Sequence, residues 1–275
     1  MSPPAAAERD PRGSGRVNLA DALTWDADVA EALVDRLVTP PDGRIWTSFA
    51  KQDGVVFASM SHGGDIGHVD LLAVDPAARR RGTGRALVLA AEEWARSHGA
   101  KEMRFAGNPP CYVWPGIDVR YTPALCLADS LGYERYRAAC NMTVDLGADF
   151  SEIPGDFTIS DDRAGVAEFV RDNWNEAWAW EAVEAERCYH AKVDGEIVGF
   201  AAWGARPAWF GPMGTTRSAR GLGVGTALLR RCLADMAAAG LPAAEIAWVG
   251  PIGFYAKAVG ARVERVFWLY RKEFS

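Results

Sequence analysis

The sequence predicts an α/β protein built of two similar halves, each a mixed sheet with helices on its faces. Three observations carry this reading. A glycine-rich turn, Arg79-Arg80-Arg81-Gly82-Thr83-Gly84, recurs as Arg220-Gly221-Leu222-Gly223-Val224-Gly225, an offset of 220 − 79 = 141 residues. The dipeptide Asp53-Gly54 recurs at the same offset as Asp194-Gly195. Around both features the apolar residues alternate as in strands, then change to a helical period directly after the glycines.

Each half starts with a short strand, near Val17 and near Phe157, followed by a helical region. Asp-Gly between two apolar stretches is a strong hairpin signal, and predicts strand pairs at 45–50 with 55–59 and at 188–193 with 197–203. A longer strand comes next (68–74; 209–215), then the glycine-rich turn. An amphipathic helix follows, with Leu87, Leu89, Ala90 and Trp94 along one side of residues 84–96, and Leu228, Leu229 and Leu233 along its counterpart at 225–236. A strand (102–105; 244–249), a helix and a final antiparallel pair close each half. Strands and helices in this order imply a mixed sheet covered by helices. Further on, Gly132-Tyr133 answers to Gly260-Ala261 at an offset of 128, so the first half carries 13 extra residues, Asn108 to Arg120. A turn-rich linker near 146–156 sets the domains at 16–150 and 151–275. Residues 1–15, rich in Pro, Ala, Arg and Gly, read as a disordered tail without the apolar segment of a secretory signal.

Composition narrows the chemistry. The 275 residues are 49% hydrophobic and 24% charged, enough apolar content for two packed cores. A net charge of −6 argues against nucleic acid or an anionic membrane as partner and suits a cationic small molecule. No apolar run is long enough to span a bilayer. Five cysteines without a CxxC pair read as reduced thiols, which predicts a cytoplasmic protein. The four histidines are scattered, so no metal site is expected.

The turn is the chemical signal. Glycines between a strand and a helix let the backbone approach an anion, the first N–H groups of the helix point at it, and an arginine adds a bidentate partner. A dinucleotide fold is disfavoured, because the Gly-x-Gly-x-x-Gly spacing is absent and a hairpin precedes the strand. A P-loop is excluded by the absence of Gly-Lys-Ser/Thr.

At these residues the chain resembles the GCN5-related N-acetyltransferase (GNAT) superfamily. Leu71-Leu72-Ala73-Val74-Asp75-Pro76, Arg79-x-x-Gly82-x-Gly84 and Ala86-Leu87 are similar to that family's strand-4 and helix-3 signature. The second half, from Gly211 through Arg220-x-x-Gly223-x-Gly225 to Leu229, is similar but lacks the Val-x-Pro. The resemblance implies two tandem GNAT domains, each with a splayed mixed sheet, and acetyl-CoA as cofactor. It places cofactor contacts at Leu72, Val74, Arg79, Arg80, Gly82, Gly84 and Arg85, and at Met213, Thr215, Arg220, Gly221, Gly223, Gly225 and Thr226. The implied activity is transfer of an acetyl group to the primary amine of a small molecule. The order of features in the second half also resembles bacterial enzymes acting on amino sugars such as glucosamine, and an amine-bearing antibiotic is another acceptor. The alternatives are a non-catalytic acyl-CoA sensor and a protein N-acetyltransferase.

In the family a tyrosine on the helix after strand 5 protonates the departing thiolate. Phe254-Tyr255-Ala256-Lys257 resembles that segment and makes Tyr255 the expected catalytic acid; the other reading is a core tyrosine. Ala128 takes this place in the first half, which points to the second domain as the catalytic one. Glu245 and the group Asp172, Glu176 and Glu181 are candidate bases, equally readable as surface carboxylates. Trp174, Trp178 and Trp180 suit either an acceptor pocket or a core. The insert, with Tyr112, Trp114 and Asp118, is expected to wall the active cleft. The acceptor and the oligomeric state are not legible.

Overall fold

The computed structural model describes residues 17–274; the tail expected over 1–15 lies outside them. The first half runs α1 (Leu19–Ala22), α2 (Ala30–Val38), β1 (Trp46–Lys51), β2 (Gly54–Met60), β3 (Ile66–Val74), α3 (Thr83–Ser97), β4 (Glu102–Phe105), β5 (Ile117–Asp118), α4 (Thr122–Ser130) and β6 (Glu134–Asp145). The second runs β7 (Thr158–Ser160), α5 (Val166–Asn173), α6 (Glu176–Glu184), β8 (Arg187–Val193), β9 (Glu196–Trp203), β10 (Trp209–Thr215), α7 (Val224–Ala238), β11 (Ala243–Ile246), α8 (Ile252–Val259) and β12 (Arg262–Glu273). Among the described residues no strand forms near Val17. Asn18 there caps α1, its side chain accepting from the N–H groups of Ala20 and Asp21.

The residues fall into two compact units. The first runs to Ala138 and takes in the chain end from Phe267; the second is Ala139–Val266. In the first, β1, β2 and β3 are antiparallel neighbours, β4 joins β3 in parallel, and Tyr270–Glu273 of β12 closes the sheet against β4. In the second, β7, β8, β9 and β10 are antiparallel neighbours, β11 is parallel to β10, and Met142–Asp145 of β6 closes the sheet against β11. A final antiparallel pair within each half was expected. Instead each half ends in one long strand, and each sheet is closed by residues belonging to the other half of the sequence.

Period-2 alternation explains why β2 is buried along its whole length. Val56 and Ala58 face α3 with Leu87, Val88 and Ala91, while Val55 and Phe57 face α2 with Leu33 and Leu37. The second unit repeats this: Tyr189, Ala191 and Ala201 pack on Leu228, Leu229 and Leu233 of α7, and Cys188, Phe200 and Ala202 pack on α5 and α6. The core stripe of α3 is Leu87, Val88, Ala91 and Ala95; Leu89, expected on it, is 43% exposed. Trp174 and Trp178 stack in this second core against Phe200. No helix among the described residues is long and apolar enough to cross a membrane.

The closing strand of the first unit is tied by a buried ionic cluster. Lys272 Nζ lies 3.0 Å from both carboxylate oxygens of Glu92, which is 1% exposed, and Tyr133 Oη donates to Glu92 Oε1 at 3.0 Å. Burial, with Glu92 beside it, holds the Tyr133 phenol protonated far above its ordinary range.

Candidate active site

In both units the parallel pair opens into a wedge. β3 and β4 are bonded only through Ile66, Gly67 and His68, so the β3 edge from Val69 onward is released. β10 and β11 are bonded through Trp209 and Phe210, which releases β10 beyond them. Each wedge strand also carries one extra residue against its hairpin partner. On β3 the pairing steps from Leu71↔Phe57 to Val69↔Ala58 and leaves Asp70 over; on β10 it slips between Phe210 and Met213, where Gly211 lies. Asp70 and Gly211 are 141 residues apart, the repeat offset, so the bulge is part of the repeat. A bulge frees main-chain groups and re-aims the strand, as is frequent beside active sites.

Each wedge strand leads into the glycine-rich turn. Arg80 and Gly221, at equivalent positions, are left-handed at φ 66° and 87°, and the N-cap glycines Gly82 and Gly223 are left-handed at 87° and 81°. A Cβ at Gly82, Gly221 or Gly223 would have no heavy atom within 4 Å, so these glycines border open space. The first N–H groups of α3 and α7 have no partner within their helices. Left-handed residues ahead of a helix N-terminus form a concave nest of donors, which fits a diphosphate. The arginines serve the scaffold too: Arg79 donates to Val74 O at 3.3 Å and Ala22 O at 3.1 Å, and Arg85 to Ser130 O at 3.3 Å.

A cavity of about 470 Å³ lies wholly in the first unit. All seven first-half positions named for the cofactor, Leu72, Val74, Arg79, Arg80, Gly82, Gly84 and Arg85, line it. Beyond the turn its walls are Asp70, Phe105, Ala106, Tyr121 of the α4 N-cap, and Trp114, Ile117 and Asp118 of the insert. Trp114 and Asp118 thus stand where the insert was expected to form a wall; Tyr112 is buried elsewhere. Main-chain hydrogen bonds pin the insert: Arg36 donates to Tyr112 O and Pro110 O, and Arg44 to Asn108 O.

Two buried carboxylates line this cleft: Asp118, paired with Arg120 at 2.7 Å, and Asp70. The Asp70 side chain is 3% exposed, with Arg44 Nη2 at 3.4 Å and a hydrogen bond from the Ser59 hydroxyl. Burial outweighs both partners and raises its carboxyl from 3.8 to about 6. Asn108 Nδ2 donates to Ser59 Oγ at 2.8 Å and completes the network. His68, donating from Nδ1 to Ala106 O at 3.0 Å, is held neutral by burial, its pKa lowered to about 4. No sequence reading singled out Asp70. The available signal was a lone carboxylate within the apolar strand 68–74.

In the second unit, Met213 and Thr215 lie on the released edge of β10, Arg220, Gly221 and Gly223 form the turn, and Gly225 and Thr226 open α7. The helix after the wedge closes on the turn in both units: Phe254 Cζ would be 3.6 Å from a Cβ at Gly225, and Leu127 Cδ2 3.2 Å from one at Gly84. Tyr255 is 7% exposed, its ring edge-on to Phe210 and Phe254. Burial pushes its phenol up to about 12, further from a thiol than a solvated tyrosine. Among the candidate bases, Glu245 is engaged by Asn141 and by Arg265 at 3.6 Å. Glu176 pairs with Arg171 at 2.5 Å at the surface, Asp172 is exposed, and Glu181 is buried on α6.

The comparisons with known proteins agree with this geometry. A family model described as Acetyltransferase (GNAT) family matches residues 18–111 and again 155–261. A mycothiol acetyltransferase of Thermomonospora curvata is 30% identical over 262 residues, spanning 85% of this chain and 84% of that protein. Among solved structures, the glucosamine N-acetyltransferase region of a fungal multi-domain β-N-acetylglucosaminidase aligns with a TM-score of 0.74 at 16% identity. That alignment covers 92% of this chain and 36% of the fungal one. A tandem GNAT protein from the clavulanic acid biosynthesis pathway aligns with a TM-score of 0.67 at 19% identity, over 95% of this chain and 90% of that one. At such identities the two structures speak for the fold alone, while the twice-matched family model and the relative establish descent. The chain belongs to the acetyltransferase (GNAT) family and is an N-acetyltransferase with two such domains in tandem.

Proposed function

We propose that the enzyme transfers an acetyl group from acetyl-CoA to the primary amine of a small molecule, an amino sugar or an amine-bearing antibiotic, and that the chemistry takes place in the first unit. The observation that carries this reading is the single cavity joining the glycine-rich turn to a buried carboxylate. Acetyl-CoA, when bound, supplies the acyl thioester. The donors of residues 82–85 would hold its diphosphate, and the released edge of β3 from Leu72 to Val74 would pair with its pantetheine arm. Main-chain groups freed at the Asp70 bulge supply donors for the acyl carbonyl.

An amine arrives as an ammonium ion and must lose a proton before it can attack. Asp70, with its pKa near 6, is ionised at neutral pH and poised to take that proton. The second unit has Gly211 at the corresponding bulge and no carboxylate there. Its turn shares the cradle geometry, so it binds acetyl-CoA as well, without acceptor chemistry. A cavity of this size suits a small acceptor better than a folded protein, and the relative named for mycothiol supports that choice. Five cysteines without a disulfide fit a cytoplasmic setting.

Thiol release from acetyl-CoA against a panel of amino sugars, aminoglycosides, polyamines and amino acids tests the activity; no release above hydrolysis with any of them would overturn it. A second reading puts the chemistry in the second unit, and Tyr255 favours it. Tyr255→Phe keeps the ring and removes the hydroxyl. On the first-unit reading kcat stays within about threefold of wild type, whereas loss of a true general acid costs on the order of 10²-fold or more.

A further inference from the structure

We infer that Asp26, which does not itself line the cavity, is a positioning residue that fixes the aromatic wall against which the acceptor binds. Asp26 lies between α1 and α2 and is 3% exposed. Its Oδ2 accepts from Tyr121 Oη at 2.8 Å and its Oδ1 from Trp114 Nε1 at 3.3 Å. The N–H of the neighbouring Trp25 donates to Tyr121 Oη at 3.1 Å. One buried carboxylate therefore holds two cavity-lining rings that arrive from segments 88 and 95 residues away, the insert and the α4 N-cap.

The chemistry of the three groups makes this a device for orientation. Trp and Tyr bury large apolar faces but each carries one donor that must be satisfied when taken from water. Both donors here point at one anion, and a charge-assisted hydrogen bond is about twice as strong as a neutral one. With its donor aimed at Asp26, each ring is limited in how it can turn, and the centroids stand 6.4 Å apart at 52°. This corner faces the same cavity as Asp70, so a carbon skeleton packed on Trp114 and Tyr121 has its amine set relative to the base. The inference rests on the first-unit cleft being the acceptor site.

Two measurements on the full-length enzyme test it. In the free protein, the indole N–H of Trp114, assigned by its loss in Trp114→Phe, is expected to exchange slowly with solvent in the wild type. In Asp26→Ala it moves upfield and exchanges at least about tenfold faster, the loss expected of one charge-assisted hydrogen bond. Asp26→Asn exchanges at a rate between the two, because its Oδ1 still accepts from Trp114 while the bond is no longer charge-assisted and Tyr121 Oη loses its carboxylate acceptor.

In turnover, the best acceptor among glucosamine, kanamycin, spermidine and lysine is expected to show a KM about tenfold higher in Asp26→Ala. Its kcat and the acetyl-CoA Kd stay within about twofold, and Asp26→Asn and Tyr121→Phe each give part of the effect. Unchanged Trp114 exchange or an unchanged acceptor KM in Asp26→Ala overturns the role. So does an equal loss of acetyl-CoA affinity, which marks general unfolding of the half. Turnover that survives disruption of the Gly82 cradle would instead overturn the first-unit assignment and leave the exchange result standing.

Discussion

Asp70→Asn lowers kcat by on the order of 10²–10⁴-fold, the usual contribution of a positioned base. The substitution keeps the shape of the side chain and its hydrogen bond from Ser59, so packing is preserved. The pH profile separates this role from a structural one. A base must be ionised to accept a proton, so wild-type activity rises as pH increases through about 6, the raised value of the buried carboxyl. In Asp70→Asn the inflection near 6 disappears, and the residual rate rises with pH only as the free-amine fraction of the acceptor does. Rates measured from pH 5 to 8, with the melting temperature of each protein as a control, decide it. A variant that melts normally and keeps the wild-type kcat removes Asp70 from the chemistry.

Gly82→Asp lowers turnover at sub-saturating acetyl-CoA by on the order of 10²-fold, by obstructing the first-unit cradle. Gly82 is left-handed at φ 87°, a conformation that costs an ordinary residue roughly 1–2 kcal/mol. A Cβ there meets no protein atom within 4 Å, so the added carboxylate reaches into the space proposed for the diphosphate. Displacing charge-assisted hydrogen bonds and adding like charge weakens acetyl-CoA at that site by on the order of 10²-fold. Calorimetry should find two acetyl-CoA sites in the wild type and one in Gly82→Asp. Gly223→Asp should also lose one site but keep most of its turnover. Loss of turnover in Gly223→Asp alone would assign catalysis to the second unit.

What the sequence made legible follows residue chemistry. The turns at 79–84 and 220–225 were readable because a left-handed backbone selects glycine, and the repeat offset tied each turn to its strand and helix. Arg80 shows the limit: it adopts the conformation that Gly221 takes in the other half, and nothing in its identity announces it. The hairpins also differ in detail. Asp194-Gly195 forms the two-residue loop of the second, whereas Lys51↔Gly54 pairing takes Gly54 into a strand, where a Cβ would be 2.8 Å from Leu87 Cδ1. Asp70 and Asp26 were not legible, because their meaning comes from partners far along the chain. Asp70 gains its raised pKa from burial that only the assembled cleft supplies. The insert was readable as a wall from its length and aromatic residues, but the carboxylate holding Trp114 was not.

The origin of the closing strands sets an order of assembly during synthesis. Chains leave the ribosome N-terminus first, and domains usually fold as they emerge. Here the first unit has its hairpin, wedge and glycine-rich turn early, but lacks Tyr270, a fully buried core residue, and the Lys272 partner of Glu92 until the second unit has been made. The second unit has its closing strand, Met142–Asp145, before any other part of its sheet exists. The unit whose translation begins first is therefore completed after the other, and the cleft containing Asp70 matures only once residues 270–273 have followed the second unit. A chain stopped before Tyr270 would keep the second sheet and leave the first open at the edge of β4.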